Sequence, residues 1–177
     1  MKHIYWNNFY KKFNLKKPSL FAQFVLKKLK KKSLLLEVGC GNGRDTFFFL
    51  KNKIKCVAYD ISKTAINKNR KLYNKVFYTK NVCKKKNKVN QNHFDYIYAR
   101  FFLHAINENE QNIFFQNSYN MLKKNGLLCL EFRTINDILF KKGKKISHNE
   151  RITDHYRRFI NPSVLLKELK MNFNFKV

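Results

Sequence analysis

Apolar and charged positions follow one another in blocks along the chain, and these blocks predict alternating strands and helices. Five short runs have the length and composition of buried strands: Ser33–Val38, Ile54–Asp60, Lys75–Thr79, Phe94–Ala99 and Leu127–Phe132. Four stretches carry apolar residues at helical spacing: Arg44–Lys51, Lys63–Tyr73, Glu108–Lys124 and Pro162–Met171. Apolar strands alternating with helices are typical of an α/β protein, in which a mostly parallel sheet has helices on both faces.

The two ends of the chain and one long stretch complete the pattern. Pro18-Ser19 predicts a helix start in an N-terminal helical segment, residues 1–32. Asn125-Gly126 is typical of a helix C-terminal cap. Residues 134–160 show no clear period and predict a long loop, and Phe173–Val177 predicts a last strand. Because no linker or repeat divides the chain, we expect one domain over 1–177, with a core at 33–133 and a final helix and strand at 161–177.

Composition changes this picture mainly through charge. The chain has 44% hydrophobic and 16% aromatic residues, which excludes a disordered chain. Its 38 basic and 11 acidic residues give a formal charge of +27. Of the basic residues 31 are lysine, and there are 23 asparagines, the bias that an AT-rich genome produces. The excess charge therefore has two interpretations, a nucleic-acid-binding surface or a compositional bias.

The cysteines and the apolar runs indicate the compartment. Four cysteines are spaced without a CxxC pair, so no zinc site and no disulfide framework is predicted. The N-terminus has no continuous apolar segment of the secretory type, and no run approaches the ~18 residues that a membrane span needs. We expect a cytoplasmic protein without a membrane span.

A glycine loop follows the first predicted strand. The segment Glu37–Gly43 (EVGCGNG) precedes a helix, and its glycines allow a tight turn and close approach of a ligand to the backbone. It is neither a P-loop nor the GxGxxG dinucleotide motif. Asp60 ends the second strand, where a carboxylate can accept hydrogen bonds from ribose hydroxyls. A glycine loop with a ribose-binding acid and no phosphate-binding motif favours a nucleoside-type cofactor.

At these residues the chain resembles the class I S-adenosylmethionine-dependent methyltransferases. LLLEVGCGNGRDT resembles their first motif, Asp60 in VAYDIS their acid after strand two, FDYIYARFFLHAI their fourth-strand motif and LKKNGLLCLEF their turn into strand five. The matches run in order over residues 33–133. The resemblance implies a Rossmann-like doubly wound sheet and S-adenosyl-L-methionine as cofactor. It assigns cofactor contacts to six positions: Glu37, Gly39, Cys40, Gly41, Asp60 and Ile61. Glu37 is either such a contact or a cap that orders the glycine loop, and Arg100 either closes over the cofactor or binds an anion.

Two features depart from this family. At the position after strand three where an acid often contacts adenine, the chain has Asn81, which is either a cofactor contact or a plain loop residue. The family's sheet usually has seven strands, whereas the pattern here ends at a sixth, and this leaves open an exposed sheet edge or a truncated product. YWNNFYKKFNLKKPSLFAQFV and DHYRRFI are similar to small bacterial thiopurine- and tellurite-type and polysaccharide-associated methyltransferases.

Acceptor-side candidates lie beyond strand four and in the long loop. His104 is either a general base or a structural histidine. His155, Tyr156, Arg157 and Arg158 form either a clamp for a phosphate or carboxylate, or a solvated basic turn. Trp6, Phe9 and Tyr10 form either a lid over the cofactor or a cover for the sheet edge.

The function that we predict is methyl transfer from S-adenosyl-L-methionine to a small acceptor, anionic or sugar-like, by in-line displacement. One alternative is an RNA methyltransferase that uses the basic runs at 27–32 and 84–86. The other is a truncated, non-catalytic remnant. The sequence indicates neither the acceptor atom nor the oligomeric state.

Overall fold

A computed structural model describes residues 2–13, 17–85 and 91–176, and every structural statement below refers to these residues. Five strands form a parallel sheet in the order β3-β2-β1-β4-β5. Their bounds are β1 Leu34–Val38, β2 Lys55–Asp60, β3 Phe77–Thr79, β4 Phe94–Arg100 and β5 Leu122–Glu131. The chain therefore reverses its direction of travel between the adjacent strands β1 and β4, the point at which doubly wound sheets bind their ligands.

Six helices accompany the sheet. They are α1 Lys2–Lys12, α2 Leu20–Leu26, α3 Arg44–Lys51, α4 Lys63–Arg70, α5 Glu108–Met121 and α6 Pro162–Phe173. Ser19 caps α2, because its hydroxyl accepts the Ala22 amide N–H at 3.0 Å, which confirms the predicted helix start. The largest apolar cluster lies around β4 and α5, and a second one packs α2 and α3 against β1 and β4. None of the described helices is long and apolar enough to cross a membrane.

The prediction for residues 122–126 was wrong. Helix α5 ends at Met121, and Leu122 already pairs with Phe94 in the sheet. The next pair is Tyr96 with Leu127, so residues 123–126 form a bulge in β5 rather than a helix cap. Asn125 adopts a φ of 64° there, the same left-handed conformation that a C-terminal cap uses.

Residues 134–160 are not a plain loop. They contain a 3-10 helix, Ile138–Lys141, and a small antiparallel sheet of β6 Lys144–Lys145, β7 Glu150–Ile152 and β8 Tyr156–Arg158. Strands of two or three residues are too short to show an alternating pattern, and this hid the sheet from sequence analysis. Its importance is positional, because β8 contacts the 3-10 helix Leu103–Ala105 that follows β4.

The predicted last strand is also corrected. Phe173 ends α6, Asn174 has a left-handed φ of 55°, and the Phe175 N–H donates to the Leu169 carbonyl at 3.0 Å. Residues 174–176 are therefore a helix cap, and Val177 lies outside the described residues. Among the described residues β5 is an end strand of the parallel sheet, and one bridge, Thr134 to Ile160, continues its line.

Candidate functional site

A large cavity of about 780 Å³ lies at the carboxyl ends of the parallel strands. The segments after β1, β2, β3, β4 and β5 all contribute to its wall, together with α1, Asp154, His155 and Arg157. This is the edge of a parallel sheet at which side chains from separate segments converge. Its volume is in the range of pockets that enclose small organic ligands.

The glycine loop is held in shape by Asp60. The Gly41 N–H donates to one carboxylate oxygen of Asp60 at 2.8 Å, and the Ser62 N–H donates to the other at 2.7 Å. Gly39, Gly41 and Gly43 all have φ values between 51° and 74°, the left-handed region that side chains avoid. Burial raises the pKa of Asp60, and the hydrogen bonds from the backbone oppose this rise. The loop and the acid therefore form one preorganised unit.

The middle glycine has a second constraint, a tyrosine from the N-terminal helix. A Cβ added at Gly41 would lie 2.8 Å from Cε1 of Tyr10 and closer still to its hydroxyl. Tyr10 is thus packed directly on the loop, and burial raises the pKa of its phenol. Trp6, Phe9 and Tyr10 all line the cavity, the position that a lid would take.

Polar contacts hold α1 over this end of the cavity. The side-chain oxygen of Asn7 accepts the Ser62 hydroxyl at 2.9 Å and the Thr64 N–H at 3.2 Å. Lys68 donates to the Tyr10 carbonyl at 2.7 Å, close to the C-terminus of α1 where a cation is favoured. The helix has no fully buried residue, so these hydrogen bonds and the aromatic contacts position it.

The cavity has an acidic end, formed by Glu37, Asp45 and Asp60. Glu37 contacts the Thr46 hydroxyl and is only 4% exposed, and burial followed by the charge of Asp45 raises its pKa. Three of the chain's 11 acidic residues meet here, and Arg44 lies beside Asp45 at 3.6 Å. A ligand that carries positive charge and hydroxyl groups suits this end electrostatically.

The opposite side is a basic end, formed by Arg100, Arg133, Arg157, His104 and His155. The rings of the two histidines lie 6.4 Å apart, and Arg100 and Arg133 stack on Phe101 with guanidinium carbons 4.0 and 5.0 Å from its ring centroid. Phe101 has a φ of 52°, a conformation that is costly for a bulky side chain and that occurs mainly at functional sites.

Both histidines of the basic end are neutral near pH 7. Burial, with Arg133 and Arg157 nearby, lowers the pKa of His104 to about 3. Burial also lowers the pKa of His155, although Asp154 accepts from its Nδ1 side at 3.0 Å and opposes the change. A neutral imidazole keeps one donor and one acceptor nitrogen, so either histidine can receive a proton or orient a hydroxyl group.

Most of the residues predicted for the site meet in this cavity. Those that line it are Glu37, Gly39, Cys40, Asp60, Ile61, Asn81, Arg100, His104, His155 and Arg157. Gly41 lies beneath Tyr10. Asn81 accepts the Cys83 N–H at 2.9 Å, so its side chain orders its own loop. Tyr156 and Arg158 do not line the cavity: the first donates to Glu150 and the second is 6% exposed and bonded within the fold.

Sequence analysis missed Arg133, Asp154 and Tyr5. Arg133 directly follows β5, so the rule that selected His104, a polar residue just beyond a strand's carboxyl end, would also have selected it. Asp154 holds Arg157 at 2.7 Å and the Tyr5 hydroxyl at 2.7 Å. A contact that joins residues 5 and 154 carries no signal in local sequence.

Comparison with known proteins agrees with this geometry. A family model described as a methyltransferase domain matches residues 36–128, more than half of the chain. O-methyltransferase 3 of Dictyostelium discoideum is 28% identical over 162 residues, covering 82% of this chain but 37% of that protein. The chain thus spans little more than a third of this relative's length.

Solved structures show the same fold at low sequence identity. The PH0226 protein of Pyrococcus horikoshii OT3 superimposes with a TM-score of 0.75 at 18% identity, covering 92% of this chain and 88% of that one. Phosphoethanolamine N-methyltransferase 1 of Haemonchus contortus, solved with phosphoethanolamine and S-adenosylhomocysteine, gives a TM-score of 0.72 at 13% identity and covers 96% and 39%. Taken with the glycine loop, the acid after β2 and the strand order, these matches establish that the chain belongs to the class I S-adenosylmethionine-dependent methyltransferase family.

Proposed function

We propose that the chain transfers the methyl group of S-adenosylmethionine to a small acceptor, anionic or sugar-like, that is enclosed in the cavity. The observation that carries the proposal is the division of the cavity into an acidic end on the glycine loop and a basic end beyond β4 and β5. S-adenosylmethionine carries a sulfonium, an amino group and ribose hydroxyls, which suit the three carboxylates of the acidic end.

Each group of the acidic end has a separate task in this proposal. Asp60 holds the loop with two hydrogen bonds and retains acceptor capacity for ribose hydroxyls. An added Cβ at Gly39 would lie 3.1 Å from the Phe102 ring, so this glycine lets Phe102 pack on the loop, and both residues line the cavity. Glu37 lies buried at the end of β1, and positive charge on the bound cofactor would oppose the rise in its pKa. When bound, the cofactor supplies an activated methyl group, so the protein contributes mainly alignment and exclusion of water, worth roughly 7–11 kcal/mol in favourable cases.

The groups at the basic end would orient the acceptor. His155 keeps Nε2 as an acceptor and would take up the proton that an acceptor hydroxyl or amine releases, a step worth roughly 10²–10⁴ in rate. His104, whose pKa is lowered to about 3, is too weak a base for this and would orient the acceptor instead. The aromatic residues of α1 cover the cavity and exclude water from it. The bound phosphoethanolamine of the Haemonchus neighbour is a small, charged acceptor-like molecule and supports a small acceptor here.

The basic run at residues 27–32 argues against the RNA alternative. It precedes β1, and the Lys32 N–H bonds to the Lys53 carbonyl just before β2. The run thus lies at the amino ends of the strands, about 16 Å of strand away from the cavity at their carboxyl ends. RNA held there would have to extend over at least this distance around the sheet to place a base in the cavity. The second run begins at Lys84, which lines the cavity, but Lys86 lies outside the described residues.

Thermal unfolding with S-adenosylhomocysteine tests the proposal. Ligand at 100 times its dissociation constant stabilises a protein by ~2.7 kcal/mol, which raises the melting temperature by about 5–10 °C at this size. We expect this rise for the native chain and its loss in Asp60→Asn, which retains the size of the side chain but loses its charge.

Asp95→Asn is the matched control, because Asp95 lies at the amino end of β4, bonded to the Leu34 N–H and Lys123. It should retain the full ligand response. A native chain that melts cooperatively and ignores the ligand would contradict the proposal and support the non-catalytic alternative. Transfer of labelled methyl groups to a panel of small acceptors, with total RNA as comparison, then separates the acceptor classes.

A further inference from the structure

The three arginines of the basic end line the cavity, whereas two of the carboxylates that pair with them do not. Arg100 is paired with Glu131, and Arg133 with Asp137 at 2.7 Å. Both arginines line the cavity, whereas Glu131 and Asp137 do not. Arg157 is held by Asp154 and by the Thr153 hydroxyl, at 2.7 and 2.9 Å. Glu131 and Asp137 therefore fix the guanidinium groups of Arg100 and Arg133 from outside the cavity wall, whereas Asp154, which itself lines the cavity, fixes Arg157 from beside it.

Apart from Nε of Arg100, which is ion-paired with Glu131, three nitrogens at this end have no hydrogen-bonding partner within the part of the chain that the structure describes. They are Nε of Arg133, Nδ1 of His104 and Nε2 of His155. His104 is 3% exposed, and His104, Arg133 and His155 all line the cavity. A buried donor that lacks an acceptor costs free energy, so a ligand that brings oxygen acceptors to this end is favoured.

We propose that this basic end binds an oxyanion, the carboxylate or phosphate group of the methyl acceptor, with Arg133 and Arg157 as its ligands. This assignment rests on the proposed function and adds to it the charge that the acceptor carries. The planar guanidinium groups offer paired N–H donors with the spacing of carboxylate and phosphate oxygens. Neutral His104 can add a directional hydrogen bond from Nδ1 without further charge, whereas His155 donates its Nδ1–H to Asp154 and keeps Nε2 as an acceptor for a hydroxyl group of the ligand.

The chain contains a reporter for this site. Trp6 is its single tryptophan, and the Trp6 ring centroid lies 5.1 Å from the ring of His155. An anion that binds beside His155 and Arg157 changes the surroundings of the indole, so tryptophan emission follows the occupancy of the basic end directly.

The experiment is an emission titration of the full chain saturated with S-adenosylhomocysteine. Inorganic phosphate and acetate are added in separate arms, with sodium chloride holding the ionic strength constant. We expect a saturable change in at least one arm, and the arm with the tighter dissociation constant identifies a phosphate or a carboxylate as the natural group. Arg133→Gln and Arg157→Gln should each raise that dissociation constant about tenfold or more.

Arg70→Gln is the control for lost charge, because Arg70 is exposed on α4 and binds the Phe77 carbonyl. It should leave anion binding unchanged. Because Arg133→Gln also loses the Asp137 pair, Arg133→Lys and Arg157→Lys are measured beside it, and S-adenosylhomocysteine binding reports the fold of each variant. We expect the lysine variants to bind the anion more weakly than the native chain and more tightly than the glutamine variants.

Two results would overturn the oxyanion site and leave the proposed function standing. One is normal S-adenosylhomocysteine binding without a saturable response to either anion. The other is a response that both glutamine variants retain at native strength. Failure of the native chain to bind S-adenosylhomocysteine is a different outcome and counts against the proposed function itself.

Discussion

At the scale of single residues, Gly41 is constrained both by its left-handed backbone conformation and by a neighbouring side chain. Sequence analysis predicted Gly41 to be a cofactor contact because of the motif, and the structure adds that Tyr10, 31 residues earlier in the chain, packs on it. The positions of Glu37 and Asp60 were predictable because each ends a buried strand. The contact of Tyr10 with Gly41 was not predictable, since the sequence does not indicate which surface an aromatic residue of an exposed helix packs against.

Replacement of Gly41 by alanine should therefore destabilise the fold for two separable reasons. A left-handed φ costs a non-glycine residue about 1–3 kcal/mol, and the new Cβ would overlap Tyr10. In the background Tyr10→Ala the same replacement should cost clearly less, because only the backbone strain remains. Urea unfolding of the four proteins gives the coupling energy, and strictly additive costs would contradict the packing of Tyr10 on Gly41.

His104 should make stability dependent on pH. Its folded pKa of about 3 lies below the ordinary value of 6.5, so between these values the unfolded chain binds a proton that the folded chain excludes. This contribution is complete above pH 6.5 and decreases as pH falls toward 3, by at most about 1.4 kcal/mol per pH unit. The groups that face the ring are Arg133, Arg157, His155 and Asp137; the first three lower its pKa and Asp137 raises it.

Urea unfolding from pH 7.5 to 4.5 measures this dependence. His104→Asn removes the titrating ring and should flatten the profile, whereas the same change at the exposed His93 should leave the slope as it was. Equal slopes for the native chain and His104→Asn would mean that the ring binds its proton as readily in the folded as in the unfolded chain, which would contradict a lowered pKa of His104.

At the scale of elements, the small antiparallel sheet separates two neighbouring arginines. Adjacent residues of a strand point to opposite faces. Arg157 of β8 therefore lines the cavity, while Arg158 is buried, donates to the Ile106 carbonyl at 3.2 Å and contacts Gln111. Sequence analysis treated them as one clamp because a three-residue strand shows no alternation.

Substitutions at these two positions should differ in how much they lower the free energy of unfolding. Arg158→Gln leaves the Ile106 carbonyl without its donor and should lower the free energy of unfolding by about 2–3 kcal/mol. Arg157→Gln, at the cavity wall, should change stability much less. Chemical denaturation separates them, with the dissociation constant of S-adenosylhomocysteine as a check on Arg158→Gln, which should leave it unchanged. Equal losses of stability would contradict the two-faced arrangement.

The five central strands and the helices between them were predictable because buried parallel strands are continuous apolar runs. The exceptions have local causes. The bulge at residues 123–126 uses Asn125 in a conformation shared with helix caps, and Gly126 fits there because an added Cβ would lie 3.0 Å from the Asp95 carbonyl. The apolar tail at 173–176 packs as a helix cap, with Phe175 5.7 Å from Tyr119.

At the scale of the whole molecule, the charge is unevenly distributed. The formal charge of +27 is spread over the chain, whereas three of the few acids meet at one end of the cavity. This polarity could not be predicted from the sequence, since it is assembled from segments that follow five strands. A surplus of this size also repels itself within the folded protein.

Stability should therefore increase with salt. Raising sodium chloride from about 0.1 to 1 M shortens the Debye length from about 10 to 3 Å and screens repulsion between lysines. We expect the melting temperature to rise over this range, measured by circular dichroism at pH 7. A steady fall would mean that favourable ion pairs, such as Lys123 with Asp95, outweigh the repulsion.

The contact between Tyr5 and Asp154 spans 149 residues, and it has a consequence for synthesis on the ribosome. Helix α1, which covers the cavity, emerges before the opposite wall at residues 154–157, by about 7–30 s at ordinary rates of translation. During that interval Tyr5 and Trp6 lack His155, the residue on which their rings pack in the folded protein. A nascent chain can thus complete its first four parallel strands well before it can enclose a ligand, so the acquisition of function is timed by the arrival of residues 154–157.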